Sequence, residues 1–347
     1  MEQLIGEQGA SVVTSAFAPE GDTSCAFMSP ISEELGHLRA GGGTVHSIDN
    51  GGERMFLVIG AAGTCGGLVT RALAGQGARV RGLVRSAERA KPALAWGASE
   101  IAIGDLRESA SIAKALFGID GVFYVGPRFV PDEAAIGRAL IEAARQAGVR
   151  KFVYQSVMHS CVAAMLHHEA KRQVEEELCR TEMEFTILQP ARFMHNIVPN
   201  LNKIAASGVY TEPFSATAPI SDVAYHDVAE VAALALTRSG YSGAIFELSA
   251  DGMLNRHDRA ALLSEVLGRP VRAAVQPIDE WLAGARTTDP YERSARKLMF
   301  EYYDRYGFRG GNGLILRCLL GRSPTSFRSF LQTSGIDPSI HTERPTE

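Results

Sequence analysis

The chain has 347 residues, of which 46% are hydrophobic, and it carries a formal net charge of −4 at pH 7. This length is enough for two lobes or one elaborated domain around a large core. The charge argues against a strongly basic, nucleic-acid-binding surface, and no apolar run is long enough to cross a membrane.

The first 54 residues differ in composition from the rest of the chain. They mix Ser, Gly, Pro and acidic residues and include the glycine run 41–43. We expect this extension, residues 1–54, to be flexible or to bind a protein partner. It begins without the basic segment of a secretory signal, and the five scattered cysteines lack the C-x-x-C spacing of metal sites. These features favour a cytoplasmic protein with reduced thiols and no metal.

A strand–turn–helix–strand unit follows the extension. The apolar run 56–59 predicts a strand buried on both faces, and residues 78–84 predict a second strand after a helix. Gly60, Gly63 and Gly66 mark the intervening turn with the spacing G-x-x-G-x-x-G.

Such a turn favours dinucleotide binding. Glycines let backbone N–H groups approach a pyrophosphate, and the helix N-terminus adds its positive dipole end. The alternative is a glycine-rich turn without a ligand, but the complete unit around it supports the functional interpretation. The candidate pyrophosphate contacts are Gly60, Ala62, Gly63, Thr64, Cys65 and Gly66.

The residue after the second strand bears on the choice of cofactor. An acidic side chain there would bind the adenosine ribose hydroxyl of NAD, whereas Arg85 can bind the 2′-phosphate of NADP. Arg89 and Lys91 follow closely and would add to the same phosphate site. The sequence therefore predicts NADP(H), with an ordinary solvated charge as the alternative role of Arg85.

Strands and helices continue to alternate along the chain. Short apolar runs predict strands at 101–103, 121–125, 151–156 and 185–188, which indicates a parallel sheet with right-handed crossovers. Residues at the carboxyl ends of such strands face the ligand in doubly wound folds. They add Asp105, Leu106, Val125, Gly126 and Pro127 to the candidate cofactor contacts. Asp105 has an alternative role as the N-cap of the next helix.

Motifs in the second half of the chain resemble those of a known family. They include G-V-R-K-F-V-Y-Q-S, H-H-E-A-K-R-Q-V-E-E-E-L, F-T-I-L-Q-P-A-R-F-M-H-N and the closing L-L-G-R-S-P-T-S-F-R-S-F. With the glycine turn they cover about residues 55–333 and resemble the NmrA-like group of atypical short-chain dehydrogenase/reductases. The resemblance implies an α/β fold, with a doubly wound parallel-sheet Rossmann domain at 55–190. A smaller mixed α/β substrate lobe follows at 191–333, with some segments returning to the Rossmann domain, and 334–347 form a polar tail.

One predicted helix carries the candidate chemistry. Ordinary members of the wider superfamily place a Tyr four residues before a Lys, whose charge lowers the Tyr pKa for proton transfer. Lys171 matches that Lys, but His167 stands in the Tyr position on the same helix face. The nearby cation would favour a neutral imidazole, so His167 is a weaker acid than the Tyr it replaces. Lys171 would orient the nicotinamide ribose. The alternatives are a solvated lysine and a histidine of the pocket wall or surface.

Further site residues follow from the same resemblance. Ser156 matches the superfamily's Ser, which hydrogen-bonds a substrate oxygen; its alternative role is to cap a turn. Tyr154 lies on the same strand face and is a candidate for the substrate pocket, with a buried strand tyrosine as the alternative. Pro190 would lie beside the nicotinamide, and Phe193 and Asn196 would line the substrate pocket.

The resemblance implies an NADPH-dependent reductase of a small, mostly apolar or aromatic carbonyl, quinone, imine or enone compound, with a role in secondary metabolism. The proton would come from Ser156, His167 or ordered water. Two rival functions stay open: a non-catalytic NADP(H)-binding redox sensor, and a non-redox isomerase or cyclase on the same fold. The expected partners are a small-molecule substrate, a second copy of the chain in a homodimer, and a protein bound through residues 1–54.

Overall fold

The structure is a computed structural model in which residues 54–285 and 287–334 are described. The predicted extension therefore lies outside the described residues except for Arg54, and the predicted tail does so except for Ser334. Among the helices of these two ranges, none is both long and apolar enough to span a bilayer.

Eleven strands and twelve α-helices follow one another in the described residues. The strands are β1 (Met55–Ile59), β2 (Arg79–Val84), β3 (Glu100–Ile103), β4 (Gly121–Val125), β5 (Lys151–Gln155), β6 (Glu184–Pro190), β7 (Arg192–Phe193), β8 (Val209–Glu212), β9 (Asp222–Val223), β10 (Ala244–Leu248) and β11 (Arg272–Val275). The helices are α1 (Thr64–Gly75), α2 (Ala90–Ala95), α3 (Ser109–Leu116), α4 (Glu133–Gln146), α5 (Leu166–Cys179), α6 (Leu201–Ser207), α7 (Tyr225–Thr237), α8 (Arg256–Leu267), α9 (Ile278–Gly284), α10 (Pro290–Tyr306), α11 (Leu314–Leu320) and α12 (Phe327–Thr333).

Seven strands form one parallel sheet in the order β10-β6-β5-β4-β1-β2-β3. The chain runs outward from β1 in one direction through β2 and β3, and then in the other direction from β4. This is the doubly wound arrangement, so the predicted α/β fold class is confirmed. The switch point lies between β1 and β4, where open sheets of this kind bind their ligands.

Different helices cover the two faces of the sheet. β1 is buried along its whole length, as its unbroken apolar run predicts. Successive side chains of a strand point to opposite faces. Accordingly, Val58 shares one core cluster with Val69 of α1, and Leu57 shares another with Leu140 of α4. The first layer contains α1 and α7, and the second contains α3, α4 and α5.

The chain beyond β6 is divided between the sheet and a lobe. β10 pairs in parallel with β6, with Ile245 opposite Ile187, and α7 packs on α1. The lobe contains two short sheets, β8–β11 and β7–β9, and a third core cluster to which α6, α8 and α12 contribute. The last strand of the main sheet and one of its covering helices are therefore supplied from beyond Pro190.

One alternative role of a predicted site residue is not found in the structure. α3 begins at Ser109 with Glu108 at the N-cap, so the N-cap role considered for Asp105 is wrong. The Asp105 carboxylate instead accepts a hydrogen bond from the backbone N–H of Arg107 over 2.9 Å. The turn after β3 is thus closed locally at residues 105–107, before the helix starts at Ser109.

Candidate active site

The glycine turn between β1 and α1 has the geometry that a bound phosphate requires. Gly60 has a φ of 77°, and the Gly63 N–H donates to the Gly60 carbonyl over 2.9 Å. A Cβ on Gly66 would lie 2.4 Å from the Gly60 carbonyl oxygen, so only glycine lets α1 start this close to β1. Gly63 caps α1 without a side-chain hydrogen bond, and its first turn carries no acidic residue. The N–H groups and dipole of this turn are therefore available to an anion.

A cleft of about 590 Å³ opens beside this turn, at the carboxyl ends of the central strands. This volume is in the range of pockets that enclose small ligands. The lining residues are Ile59, Gly60, Ala62, Gly63, Leu83, Val84, Arg85, Arg89, Gly104, Leu106, Val125, Gly126 and Pro127. The cleft therefore coincides with the switch point of the sheet.

Most of the predicted cofactor contacts line this cleft. The residues that do so are Gly60, Ala62, Gly63, Arg85, Leu106, Val125, Gly126 and Pro127. Thr64, Cys65, Gly66, Asp105, Lys171 and Pro190 are not among the lining residues. Arg85 and Arg89 are exposed at the rim, whereas Lys91 is not part of the lining. Leu83 and Val84 were missed, although their signal, the carboxyl end of an apolar strand, is present in the sequence.

Cys65 lies in the first turn of α1 and is not a reactive thiolate. Its Sγ donates to Oε1 of Gln155 over 2.7 Å, and burial raises the pKa of the thiol to about 12. Within 54–285 and 287–334, no three His, Cys, Asp or Glu side chains are grouped to hold an ion. Cys65 therefore adds no negative charge to the phosphate site.

Lys171 is buried and paired. Its Nζ donates to Oε1 of Glu133 on α4 over 2.7 Å, and the two side chains are 6% and 1% exposed. The alternative of a solvated lysine is therefore wrong. A Cβ on Gly126 would lie 3.2 Å from the same Glu133 oxygen, which places the pair directly beneath the cleft lining.

The sequence analysis did not predict Glu133 as a site residue, although its place in the helical pattern carries a signal. It lies on the buried stripe of α4, three residues before Ile136 and seven before Leu140. A carboxylate at such a position is rarely buried without a partner. The identity of that partner depends on how α4 and α5 pack, which the local pattern does not contain.

His167 shares its helix face with Lys171 and is largely shielded from water. It is 8% exposed, and its ring centroid lies 4.9 Å from that of Phe129 and 4.4 Å from that of His168. Its Nδ1 is buried without a hydrogen-bond partner. Burial, followed by the charges of His168 and Lys171, holds the pKa of His167 well below its usual range. This direction agrees with the predicted neutral imidazole, although burial rather than Lys171 is the main cause.

Ser156 and Tyr154 are neighbours at the end of β5, and both are buried. Ser156 follows β5; its N–H donates to the Leu188 carbonyl over 2.8 Å, and its buried Oγ has no partner. Tyr154 is fully buried in the core layer of α4 and α5, where its ring stacks on Tyr124 with centroids 5.4 Å apart. Burial also raises the pKa of Tyr154, so its phenol stays protonated. The structure therefore places Tyr154 in the core and corrects its assignment to the substrate pocket.

The start of the lobe carries a cluster of aromatic rings. Phe193 stacks on Tyr225 with ring centroids 3.9 Å apart, and the ring of His195 lies 4.5 Å from the same tyrosine. Burial lowers the pKa of His195 to about 4, so this imidazole is neutral at pH 7. Asn196 is exposed. Phe193, His195 and Asn196 follow β6, whereas Tyr225 is the first residue of α7, and none of these four residues is among those that line the cleft.

Known proteins resemble this chain over most of its length. The model of the NmrA-like family matches residues 53–340. The NAD(P)H azoreductase of Xenophilus azovorans is 34% identical over 223 residues, which are 63% of this chain and 76% of that protein. The (4-alkanoyl-5-oxo-2,5-dihydrofuran-3-yl)methyl phosphate reductase of Streptomyces griseus is 33% identical over 279 residues, 80% of this chain and 96% of that protein.

A solved structure shares the fold. The triphenylmethane reductase of Citrobacter sp., complexed with NADP(H), matches with a TM-score of 0.71 at 21% identity, over 81% of this chain and 99% of that one. The named relatives are reductases, which confirms the predicted enzyme class, an NAD(P)H-dependent oxidoreductase. Because the family model spans most of the sequence and the predicted motifs lie within it, this chain belongs to the NmrA-like family.

Proposed function

We propose that this protein is an NADPH-dependent reductase of a small, mostly apolar or aromatic compound that carries a carbonyl, quinone, imine or conjugated double bond. The main observation that supports this proposal is the cleft with its surroundings. It combines a glycine turn, an uncapped helix N-terminus, two rim arginines and a buried lysine–glutamate pair beneath Gly126. When bound, the nicotinamide supplies the hydride.

Different residues of the site bind different parts of the cofactor. Gly60, Gly63 and the first N–H groups of α1 hold the pyrophosphate. Arg85 and Arg89 pair with the 2′-phosphate, because both guanidinium groups are exposed at the rim. Lys171 uses one N–H on Glu133 and has two more for the nicotinamide ribose.

Ser156 is the proposed hydrogen-bond donor to the substrate. A buried hydroxyl without a partner is costly, and a substrate oxygen would satisfy it. His167 is uncharged at pH 7 because burial depresses its pKa, so it is not the proton source. The proton that completes the reduction would then reach the substrate from water through the Ser156 hydroxyl.

Two observations favour aromatic substrates. Phe193, Tyr225 and His195 present stacked rings where the lobe begins, and such rings pack well on aromatic ligands. The relatives also include an azoreductase and a triphenylmethane reductase.

The cofactor preference is tested by calorimetry with NADPH and NADH. The double variant Arg85→Ala/Arg89→Ala is expected to weaken NADPH binding at least about 10-fold and to leave NADH binding unchanged, because charge-assisted hydrogen bonds to a phosphate are lost. Lys91→Ala is the matched control, since it removes a neighbouring charge from outside the cleft. Equal binding of both cofactors by the wild-type protein would contradict the preference for NADPH.

Turnover is tested by following NADPH absorbance with a panel of quinones, aromatic ketones and imine dyes. The double variant Lys171→Met/Glu133→Gln removes the lysine without leaving a buried carboxylate unpaired, and we expect it to fold and to lose turnover. Tight NADPH binding without turnover of any compound would favour the redox sensor. Substrate conversion without consumption of NADPH would favour an isomerase or cyclase.

A further inference from the structure

The buried pair of Glu133 and Lys171 joins two helices at a single point below the cleft. The residues are 38 positions apart in the chain, and the Nζ–Oε1 distance of 2.7 Å is that of a charge-assisted hydrogen bond. Both side chains are almost completely withdrawn from water. Burying two charges is costly, and an apolar pair of similar volume often gives equal or higher stability. Stability alone is therefore a weak reason for a charged pair at this position.

The pair lies where it can act on the cleft. Gly126 lines the cleft, and its missing side chain leaves room for the carboxylate of Glu133 and the hydroxyl of Tyr124. A Cβ on Gly126 would lie 3.2 Å from Oε1 of Glu133 and 3.1 Å from the Tyr124 hydroxyl. The carboxylate therefore lies directly behind the backbone of a residue that lines the cleft.

Each side chain of the pair has hydrogen-bonding capacity that the bond between them does not use. Oε2 of Glu133 is buried without a partner, and Lys171 has two N–H groups beyond the one that it gives to Glu133. The buried hydroxyl of Tyr124, which interacts electrostatically with Glu133, also has no hydrogen-bond partner. Glu133 accepts a hydrogen bond from one N–H group of the Lys171 ammonium. This bond fixes the direction of the other two N–H groups, which stay available to another acceptor.

We propose that Glu133 is a positioning residue, which holds the Lys171 ammonium charged and directed at the base of the cleft, where ribose hydroxyls of the dinucleotide would bind. This inference rests on the proposed function. It adds a residue that acts through Lys171 and touches neither cofactor nor substrate.

Other titratable groups interact electrostatically with Glu133 or Lys171. They are Tyr124 on β4, Tyr154 on β5, His167 and His168 on α5, Cys65 on α1 and Tyr291 on α10. Glu175 acts on Tyr154, and Arg128 and Arg296 act on His167. Both tyrosines of the sheet have pKa values raised by burial, and the two histidines have pKa values lowered by burial. These four groups are therefore neutral near pH 7, so Glu133 is the counter-charge in contact with Lys171.

The test compares Glu133→Gln and Glu133→Asp with the wild-type enzyme. The first variant keeps the shape of the side chain and removes its charge, and the second keeps the charge on a shorter stem. We expect Glu133→Gln to lower kcat/KM at least about 10-fold at pH 7. We also expect it to move the alkaline limb of the pH profile down by about one pH unit or more, because a buried ammonium without a counter-charge loses its proton more readily. Glu133→Asp should displace the limb in the same direction but by less, because its carboxylate stays charged and lies farther from the Lys171 ammonium.

The matched control is Asp222→Asn, which breaks a pair of equal burial between Asp222 and Arg259 in the lobe. It should lose stability without moving the pH profile. A folded Glu133→Gln variant with the wild-type pH profile would overturn the proposal, as would a Glu133→Asp variant no better than Glu133→Gln. If Glu133→Gln does not fold, a Glu133→Asp profile displaced towards low pH supports the proposal, and an undisplaced one with reduced stability overturns it.

A second readout separates this inference from the proposed function. Calorimetric binding of NADPH between pH 7 and pH 9 needs no substrate, so it reports on Lys171 even if no compound is turned over. We expect Glu133→Gln to lose NADPH affinity more steeply with rising pH than the wild-type protein. Parallel pH dependences would overturn the positioning role and leave the reductase proposal intact.

Discussion

Two non-glycine residues in the described chain have left-handed backbones, and both adjoin the histidine pair on α5. Phe129 has a φ of 58° and packs against His167, while His159 has a φ of 59° and its carbonyl oxygen lies 2.8 Å from Nδ1 of His168. This conformation costs a bulky residue about 1–2 kcal/mol. Phe129 is held in it by burial and by the Arg296 guanidinium, 4.6 Å from its ring centroid. Both strained residues therefore contact the first turn of the helix that carries the candidate lysine.

The strain at Phe129 predicts an unusual order of two variants. Both Phe129→Gly and Phe129→Ala lose the buried ring, but only alanine keeps a Cβ in the left-handed region. We expect the glycine variant to be more stable than the alanine variant by about 1 kcal/mol, the reverse of the order found in helices. Urea unfolding of the two proteins measures this difference. If the alanine variant is as stable as the glycine variant, or more stable, then Phe129 is unstrained in solution.

The buried histidines predict a loss of stability in acid. Burial lowers the pKa of His168 from 6.5 to about 4, so the unfolded chain takes up a proton before the folded protein does. This contribution to stability is complete above about pH 6.5 and is lost as the pH falls through 4. For His168 alone, the free energy of unfolding should fall by about 2 kcal/mol between pH 7 and pH 5, and His167 acts in the same direction.

Urea unfolding at the two pH values checks this expectation. His168→Asn can keep a donor to the His159 carbonyl but does not titrate, so its stability should depend less on pH. A variant with the same acid sensitivity as the wild-type protein would rule out His168 as the source.

At the scale of one element, the start of α1 shows how glycines join a helix to a sheet. Gly66 brings α1 against the Gly60 carbonyl, and Gly67 leaves room for the Trp96 ring, which lies 2.5 Å from the position of a Cβ. The same close approach leaves the first N–H groups of α1 facing the cleft. Packing and anion binding therefore depend on the same absence of side chains.

This dependence predicts opposite effects for two substitutions in α1. Gly66→Ala places a Cβ 2.4 Å from a backbone oxygen, so we expect a loss of several kcal/mol and of NADPH binding. Gly75→Ala, at the other end of the helix, meets no atom within 4 Å and should stabilise the protein by about 0.5–1 kcal/mol. Thermal unfolding and NADPH calorimetry measure both effects. A Gly66→Ala protein that binds NADPH normally would contradict the proposed phosphate site.

At the scale of the described molecule, the sheet depends on residues far apart in the chain. β6 would be an edge strand without β10, and the apolar face of α1 is covered by α7. In that layer, Val69 and Leu73 of α1 share a core cluster with Val228 and Val231 of α7. The boundary proposed near residue 190 therefore cuts through this core.

A truncation tests whether that boundary separates independent units. The fragment 54–190 lacks α7 and β10, so it exposes the apolar face of α1 and the open edge of β6. We expect it to show no cooperative urea transition and no NADPH binding, whereas the fragment 54–334 should show both. A cooperative transition in the shorter fragment would establish an independent domain ending at Pro190.

The sequence by itself determined the βαβ unit, the parallel sheet, the family and most of the cleft lining. The family was identified from the resemblance of longer motifs. The other features follow from local patterns: apolar runs of strand length, helical periodicity, and glycines at fixed spacing between them. Gly60 and Arg85 were predicted because each lies directly after a strand that its own neighbours specify, and Gly63 because of its spacing from Gly60.

Only the tertiary structure decided what surrounds the candidate chemistry. Glu133 meets Lys171 across 38 residues, Tyr154 is sealed in the core, and Phe129 takes a left-handed backbone between two elements. β10 likewise joins the sheet from beyond the lobe. Burial, ion pairing and strain are properties of contacts between distant segments, and a local pattern specifies a residue's own element but not the residue that it will meet.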